Sequence, residues 1–444
     1  MKKIILLILI LAFVFLFWFS LKEKIFFKEY KIGVSSGAKE KFLPLIESYQ
    51  KKFPSKKIKV AEKDADFLID AQKRDSFDGA IEIGKEINSF KIYGAGLKKN
   101  IGKDTVYYLN YKKDKKIDID FLNFLKDNFS YNQKKVSITL LGDIVPARTV
   151  YFKMKQNGFD YPFRSIKNET SKTDFTLGNL ECPITDKIEA PLEGMSFVAS
   201  KKVLDGLDSL GIDLVTLANN HSTNFGREVF VETLDNLKEK GIIYVGGGRN
   251  YKEAHKLKML EKNGIKIGIL NYNSIIGGVE ATEDLAGVAW IHMPPWEKTI
   301  NQEELFVMEN EIKEAKKRVD FLIVAIHWGV EYQLEPIKEQ TFVAHRAIDS
   351  GADLVWGSHP HVVSTLETYK GKLIIYNLGN FIFDQMWSEE TREGVIAKIF
   401  ISGKKIRRLE LVPYKIYDYA QPRIFEGDKG RYIIERMLSK SKFE

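Results

Sequence analysis

From Val136 onward, short apolar runs alternate with amphipathic stretches. Eight runs read as strands: Val136–Leu141, Phe175–Leu177, Leu214–Leu217, Ile242–Val245, Ile265–Leu270, Phe321–Ile326, Leu354–Trp356 and Leu373–Tyr376. Between them, helical spacing falls at Ala147–Gln156, Lys202–Leu210, Arg227–Lys240, Glu303–Arg318 and Thr341–Ser350. Strands separated by helices imply layered α/β packing. The last two runs, Gly394–Ile401 and Ile406–Val412, have no helix between them and predict an antiparallel end to a sheet.

The N-terminal hundred residues have a different texture. Lys31–Val34, Ile58–Val60 and Phe67–Ile69 read as strands. Ala38 to Phe53 has helical spacing, with Phe42, Leu45, Ile46 and Tyr49 on one face, and Pro44 places the helix start near Leu43. A further helix is expected near Asp118–Asn128. This opening resembles that of an extracellular solute-binding protein over a short span; a packing or spacer domain is the other reading. The expected division is an N-terminal segment 1–30, a small α/β domain 31–133, a large domain 134–420 and a tail 421–444.

Ahead of all this, Lys2 and Lys3 precede an apolar run from Ile4 to Phe19. Its length is near the ~20 residues that span a bilayer, and longer than the ~7–15 of a signal-peptide core. The bulky exit at Trp18 and Phe19 offers no small-residue cleavage site. The expectation is an uncleaved transmembrane helix, a single pass through the cell membrane, with the main domain extracellular.

Composition changes the picture little. One cysteine, Cys182, excludes an intramolecular disulfide and a Cys-based zinc site, and reads as a buried filler. The net charge of +8 fits an anionic partner or membrane surface, and equally a solvated basic exterior. The lysines are scattered without the basic–aromatic interleaving of nucleic-acid modules, so no nucleic acid is expected.

The chemistry lies where the strands end. Gly142-Asp143, Gly178-Asn179-Leu180-Glu181, Asn219-Asn220-His221, His327-Trp328-Gly329 with Glu331 beyond, Gly357-Ser358-His359-Pro360-His361 and Gly379-Asn380 through Asp384 each follow an apolar run. Open α/β sheets bind ligands at the carboxyl ends of their strands. Four of the seven histidines fall in these motifs. Carboxylate, amide oxygen and imidazole together suit Mn, Fe or Zn better than Ca or Mg. In His359-Pro360-His361 the spacing of two lets both rings face one site in an extended segment. Arg148 is placed to meet an anionic substrate or to lie on a helix surface. His255 and His345 read as helix-surface residues and His292 as a loop residue. The long stretch Asn273–Thr299 reads as a lid or a surface excursion.

The ordered set LLGDIVPAR, LGNLECPI, LANNHSTNFG, AIHWGVEY, GADLVWGSHPHV and YNLGNFIFDQ resembles the motif series of the bacterial capsule-synthesis CapA family, also called the poly-γ-glutamate synthesis family. That family is similar to the calcineurin-like metallophosphoesterases, a four-layer sandwich of two sheets between helices. The resemblance implies Asp143, Glu181, Asn220, His327, His359 and His361 as ligands of one or two divalent ions, with Glu181 or Asn179 in the bridging place. It implies His221 as general acid or transition-state stabiliser. Arg148, Asn179, Glu331, Asn380 and Asp384 are the candidate substrate contacts; Asn380 and Asp384 could instead lock their loop. The implied partners are an anionic polymer or a phosphoester and, in the membrane, other capsule-synthesis subunits. Three departures stand out: Val145 replaces the histidine of Asp-x-His, Gly178-Asn179-Leu180-Glu181 replaces Gly-Asp-x-x-Asp, and Asn224 stands where an Asp is common.

Overall fold

The computed structural model describes residues 30–53, 58–60, 67–70, 79–86, 90–95, 97–101, 105–111 and 134–444. The apolar run at 4–19 and the expected helix at 118–128 lie outside the described residues. Among those described, no helix is long and apolar enough to cross a membrane. The chain divides into two compact units, residues 1–88 with 103–133, and residues 89–102 with 134–444.

The smaller unit holds β1 (Tyr30–Val34), β2 (Ile58–Val60), β3 (Phe67–Asp70), β4 (Gly79–Glu86) and β7 (Thr105–Tyr111), in the order β2-β1-β3-β7-β4. The helix Ser36–Lys52 connects the parallel pair β1 and β2. Phe42, Ile46 and Tyr49 are buried, as their spacing requires. The helix begins well before Leu43: Pro44 lies inside it on the exposed side.

In the larger unit one sheet runs β11-β10-β9-β8-β21-β22-β5-β6. Its strands are β5 (Phe90–Gly94), β6 (Leu97–Ile101), β8 (Lys135–Ile144), β9 (Phe175–Leu180), β10 (Leu214–Thr216), β11 (Ile243–Val245), β21 (Glu393–Ser402) and β22 (Lys405–Tyr417). β20 (Asn380–Ile382) pairs with the end of β8, and β23 (Gln421–Ile424) with β22. The second sheet runs β13 (Lys258–Lys262), β14 (Ile265–Asn273), β16 (Phe321–His327), β17 (Leu354–Ser358), β19 (Lys372–Ile375), β18 (Leu366–Tyr369). A two-residue pair, β12 (Gly247–Gly248) and β15 (Gly287–Val288), lies apart. β8 to β11 are parallel, as are β14, β16, β17 and β19.

Side-chain alternation decides what each face does. Ile323 and Ala325 of β16 join Ile138, Leu140 and Leu177 of the first sheet in one apolar cluster, so the sheets pack face to face. Leu322, Val324 and Ile326 pack instead with Ile312, Val343 and Ala347 of the helices Gln302–Lys316 and Lys338–Ser350. On the far side of the first sheet, Leu141 and Val215 pack with Val150, Leu207 and Phe230 of three more helices.

Two boundaries differ from the sequence expectation. The hairpin β5–β6 belongs to the large unit, because β5 pairs with β22 and buries Ile92 in the inter-sheet cluster. The supposed tail contains β23 and the helix Gly427–Ser439, whose Ile433, Ile434 and Met437 enter that same cluster.

Candidate metal centre

Asp143 depends on an irregularity in β8. Leu140 faces Leu177, but Asp143, three residues on, faces Asn179, only two residues on. One extra residue in β8 therefore makes a bulge, which reverses the alternation. Without it Asp143 would share a face with Leu141, against the helices. With it the carboxylate turns to the inter-sheet side. Gly142 allows β20 to approach there: a Cβ on it would lie 1.8 Å from the Gly379 carbonyl oxygen, and that oxygen accepts the Asp143 N–H at 3.1 Å.

Glu181 and His327 arrive by ordinary alternation. His327 lies on the inner face of β16 with Ile323 and Ala325, and Ser358 pairs opposite it on β17. His359 and His361 follow at the positive φ angles 103° and 60°. A non-glycine residue at φ 103° is strained, and such strain clusters at functional sites.

Backbone partners fix the amide orientations. Asn219 Oδ1 accepts from the N–H groups of His221 (3.2 Å) and Ser222 (2.9 Å). Its Nδ2 donates to Leu180 O (2.8 Å) and to Asn179 Oδ1 (3.1 Å). Asn179 therefore turns Nδ2 to Asp143 Oδ1 (2.9 Å) and Glu181 Oε2 (3.3 Å). It meets the carboxylates as a donor that orients them, not as an oxygen ligand in a bridging place. Likewise Asn380 Nδ2 donates to Thr391 O (3.0 Å), so Oδ1 accepts from His361 Nδ1–H (2.9 Å), leaving His361 Nε2 with its lone pair.

Three sets of side chains bring ligand atoms within 4.8 Å of one another: Asp143, Glu181 and His361; Glu181, His327 and His359; and Glu331, His359 and His361. The sets overlap, forming one contiguous cluster. Asn220 Oδ1 accepts from His327 Nε2 at 2.8 Å, which puts it at the same place. Glu181 Oε1 and both ring nitrogens of His359 are buried with no hydrogen-bonding partner. Burial, then the Asp143 and Glu331 carboxylates, hold the Glu181 carboxyl well above its usual range. Burial and neighbouring imidazoles hold His327 and His359 well below theirs. A cation satisfies orphaned acceptors and like-charged acids together, so the residues present fit a divalent metal ion.

His221 stands at the edge. Asn224 Oδ1 accepts from Phe197 N–H (2.8 Å) and from His221 Nδ1 (2.9 Å). The imidazole thus keeps its hydrogen on Nδ1 and offers Nε2 as an acceptor. Burial against Phe197 pushes its pKa down to about 4. Val145 is buried in the helix-side cluster and cannot act as a ligand.

Arg148 does not lie on a helix surface. Its guanidinium sits 4.8 Å and 5.2 Å from the ring centroids of Phe197 and Phe383, and pairs with Asp384. Asp384 also accepts the Thr149 N–H at 3.1 Å, tying its loop to the start of the helix Arg148–Asn157. Asp384 thus holds its loop in place, and Asn380 holds His361. The other three histidines each face a glutamate: His255 with Glu311, His292 with Glu304, His345 with Glu367. His255 is half-buried, its ring stacked on Tyr251. Cys182 is buried. The 273–299 stretch is part core and part surface: Ala286–Ile291 is buried and Gly278 packs on the Asn219 carbonyl, while residues 282–285 and 295–299 are exposed. Asn219, Asn224, Phe197 and Tyr332, whose ring lies 6.3 Å from that of His361, were not among the sequence candidates. Of these, Asn219 carried a readable mark as half of the Asn-Asn pair, and Asn224 as the residue standing where an Asp is common.

Comparison with known proteins gives a consistent result. The family model for "Bacterial capsule synthesis protein PGA_cap" matches residues 137–385, a span that contains every candidate ligand. The PGA biosynthesis protein CapA of Bacillus subtilis (strain 168) is 30% identical over 320 residues, covering 71% of this chain and 80% of that protein. The capsule biosynthesis protein CapA of Bacillus anthracis is 29% identical over 314 residues, 69% of this chain and 74% of the relative. A probable polyglutamine synthesis accessory protein of Mycobacterium tuberculosis is 28% identical over 224 residues, 49% of this chain and 57% of the relative. The motifs, their positions at the strand ends and this coverage agree: the chain belongs to the bacterial capsule synthesis protein family PGA_cap.

Proposed function

We propose that this protein is a membrane-anchored, outward-facing component of the machinery that makes or exports an anionic, capsule-like polymer, and that its strand-end cluster is a divalent-metal hydrolase site on a calcineurin-like sandwich. One observation carries the metal reading: three ligand sets overlap, Glu181, His359 and His361 each belonging to two of them, with Glu181 Oε1 and the His359 nitrogens otherwise unpartnered. The shared Glu181 supports two neighbouring cation positions, one beside Asp143 and His361, the other beside His327 and His359. The mixed oxygen and nitrogen donors favour Mn, Fe or Zn. The names of the relatives support the polymer, as poly-γ-glutamate or a similar chain, and a place beside other synthesis subunits. The apolar run from Ile4 to Phe19 supports the anchor.

A metal here would supply Lewis-acid polarisation of a phosphoryl or carbonyl oxygen. The chain's own residues do the rest. Asn179 orients the carboxylates. His221, with Nδ1–H held by Asn224, presents Nε2 to accept a proton, so its role is base rather than acid. Arg148, flanked by two aromatic rings, places its positive charge where His221 and Tyr332 both feel it, and meets an anionic substrate group by exchanging its Asp384 contact. A second reading, a binding subunit without catalysis, is favoured by the apolar Val145 and by the donor face that Asn179 shows the cluster.

The test is elemental analysis of the full-length chain in mild detergent, beside His359→Ala/His361→Ala. Near-stoichiometric Mn, Fe or Zn, lost in the double variant while the unfolding transition persists, is expected. Metal retained by the variant refutes the ligand assignment. No metal in the parent after reconstitution leaves the binding subunit.

A further inference from the structure

We propose that a lateral cleft between β11 and β13 is a second binding site, for carboxylate groups of an anionic polymer, separate from the metal cluster. The proposal rests on the polymer reading above. The cleft has a volume of ≈ 420 Å³ and is lined by Lys238, Tyr244, Arg249, Glu253, Lys256 and Lys258 among others. It shares no residue with the metal-ligand sets.

Its charges divide into two groups. Glu253 accepts from Tyr244 Oη (2.7 Å) and from Arg249 N–H (3.0 Å), and lies 3.5 Å from the Arg249 guanidinium, which also pairs with Asp235. Those three ionic groups satisfy one another. Lys238, Lys256 and Lys258 have no carboxylate within ion-pair distance among the described residues. The contrast with Lys240 is local: two residues from Lys238, it contacts Asp205 (3.0 Å) and Asp208 (3.3 Å).

Lys258 is the informative member. It is half-buried, and its ammonium lies 4.6 Å from the Tyr244 ring centroid, a contact that offsets only part of the lost hydration. Burial first, then Lys256, push its pKa down, against a smaller opposing pull from Glu253. A partly desolvated cation beside a second one, with the nearby carboxylate already satisfied, is a site an external anion relieves. Three lysines along one cleft match a ligand with repeated negative charges better than a single small anion. A polymer held there raises the local concentration of its chain at the metal cluster without any new contact at the cluster itself.

The experiment measures binding of poly-γ-glutamate of defined length to the full-length protein in mild detergent, across a salt series. Lys238→Ala/Lys256→Ala/Lys258→Ala is compared with Lys167→Ala/Lys202→Ala/Lys298→Ala, which removes equal charge from exposed positions elsewhere. His359→Ala/His361→Ala serves as the metal-site control. The cleft variant is expected to lose about tenfold in affinity and to show a shallower salt dependence, the control triple less than about twofold. The metal-site control should keep this binding. Inorganic phosphate and free glutamate should compete only weakly; strong competition by either replaces the polymer with a small-anion site and overturns the proposal. Equal losses in both triples, or none in the cleft variant, also overturn it while leaving the polymer reading intact. Failure of the parent to bind the polymer removes both.

Discussion

Gly142→Ala should disable the site through the backbone, without touching a ligand. The new Cβ would lie 1.8 Å from Gly379 O and 2.9 Å from Gly379 C, where real Cβ contacts essentially never fall below 3.0 Å. A carbonyl in a paired strand cannot rotate aside, so β20 must leave β8 by more than an ångström. That movement breaks the Asp143 N–H to Gly379 O bond (3.1 Å) and the Val145 N–H to Ile382 O bond (2.8 Å). Each buried backbone pair lost costs ~1–3 kcal/mol when its groups find no replacement. With Phe381 and Ile382 pulled from the core, the total is about 3–5 kcal/mol, or roughly 4–7 °C in Tm for a unit of this size. Gly211→Ala is the control: its φ is +82° but nothing lies within 4 Å of the added Cβ. It should cost only the ~1–2 kcal/mol of left-handed strain. Thermal unfolding of the full-length chain, with hydrogen exchange at Asp143 and Val145, reads both effects. Should Gly142→Ala cost no more than Gly211→Ala and keep its protection, the claim that the β8–β20 approach positions Asp143 is wrong.

Two further outcomes follow from the cluster's electrostatics. Asn179→Asp replaces the N–H that joins Asp143 to Glu181 with a third carboxylate. With chelator present it should lower stability by about 3 kcal/mol or more, and with Mn or Zn restored it should regain that and bind metal more tightly; unchanged melting in chelator would count against the amide orientation. The chelated protein should also weaken in mild acid. Folding depresses the pKa values of His221, His327 and His359, so their contribution is present above 6.5 and fades as pH falls toward about 4, where His221 protonates in the fold. Glu181, raised in the fold, opposes this by one proton. A net excess of up to two protons on the unfolded chain gives a slope of about 2.7 kcal/mol per pH unit near pH 5. Denaturant midpoints in chelator between pH 5 and 7 measure it, and a flat profile refutes the neutral buried imidazoles.

The large unit's strands and their polar ends were legible because parallel strands buried on both faces leave continuous apolar runs, and the polar residues after them mark the ends. That His327, His359 and His361 stand at strand ends could be read there, but His359 and His361 turn in on positive φ angles rather than from the extended segment their spacing suggested. The sense in which Asp143 and Asn179 face the site could not. Alternation counted along Val136–Leu141 puts Asp143 with the helices, and only pairing with β9 shows the extra residue. Asn179 could be read as an oxygen ligand until Asn219, forty residues away and fixed by the Leu180 carbonyl, set its amide. The hairpin β5–β6 was illegible for the same reason, because it joins β22 across more than three hundred residues. The final helix was different: Ile433, Ile434 and Met437 carry helical spacing, so its burial was available to a closer reading of the last twenty residues. Ligand identity is thus written locally, in side-chain types behind apolar runs. Ligand direction is written in partner strands, so substitutions at Gly142 and Asn219, which offer nothing to a metal, should affect its binding as much as loss of a ligand does.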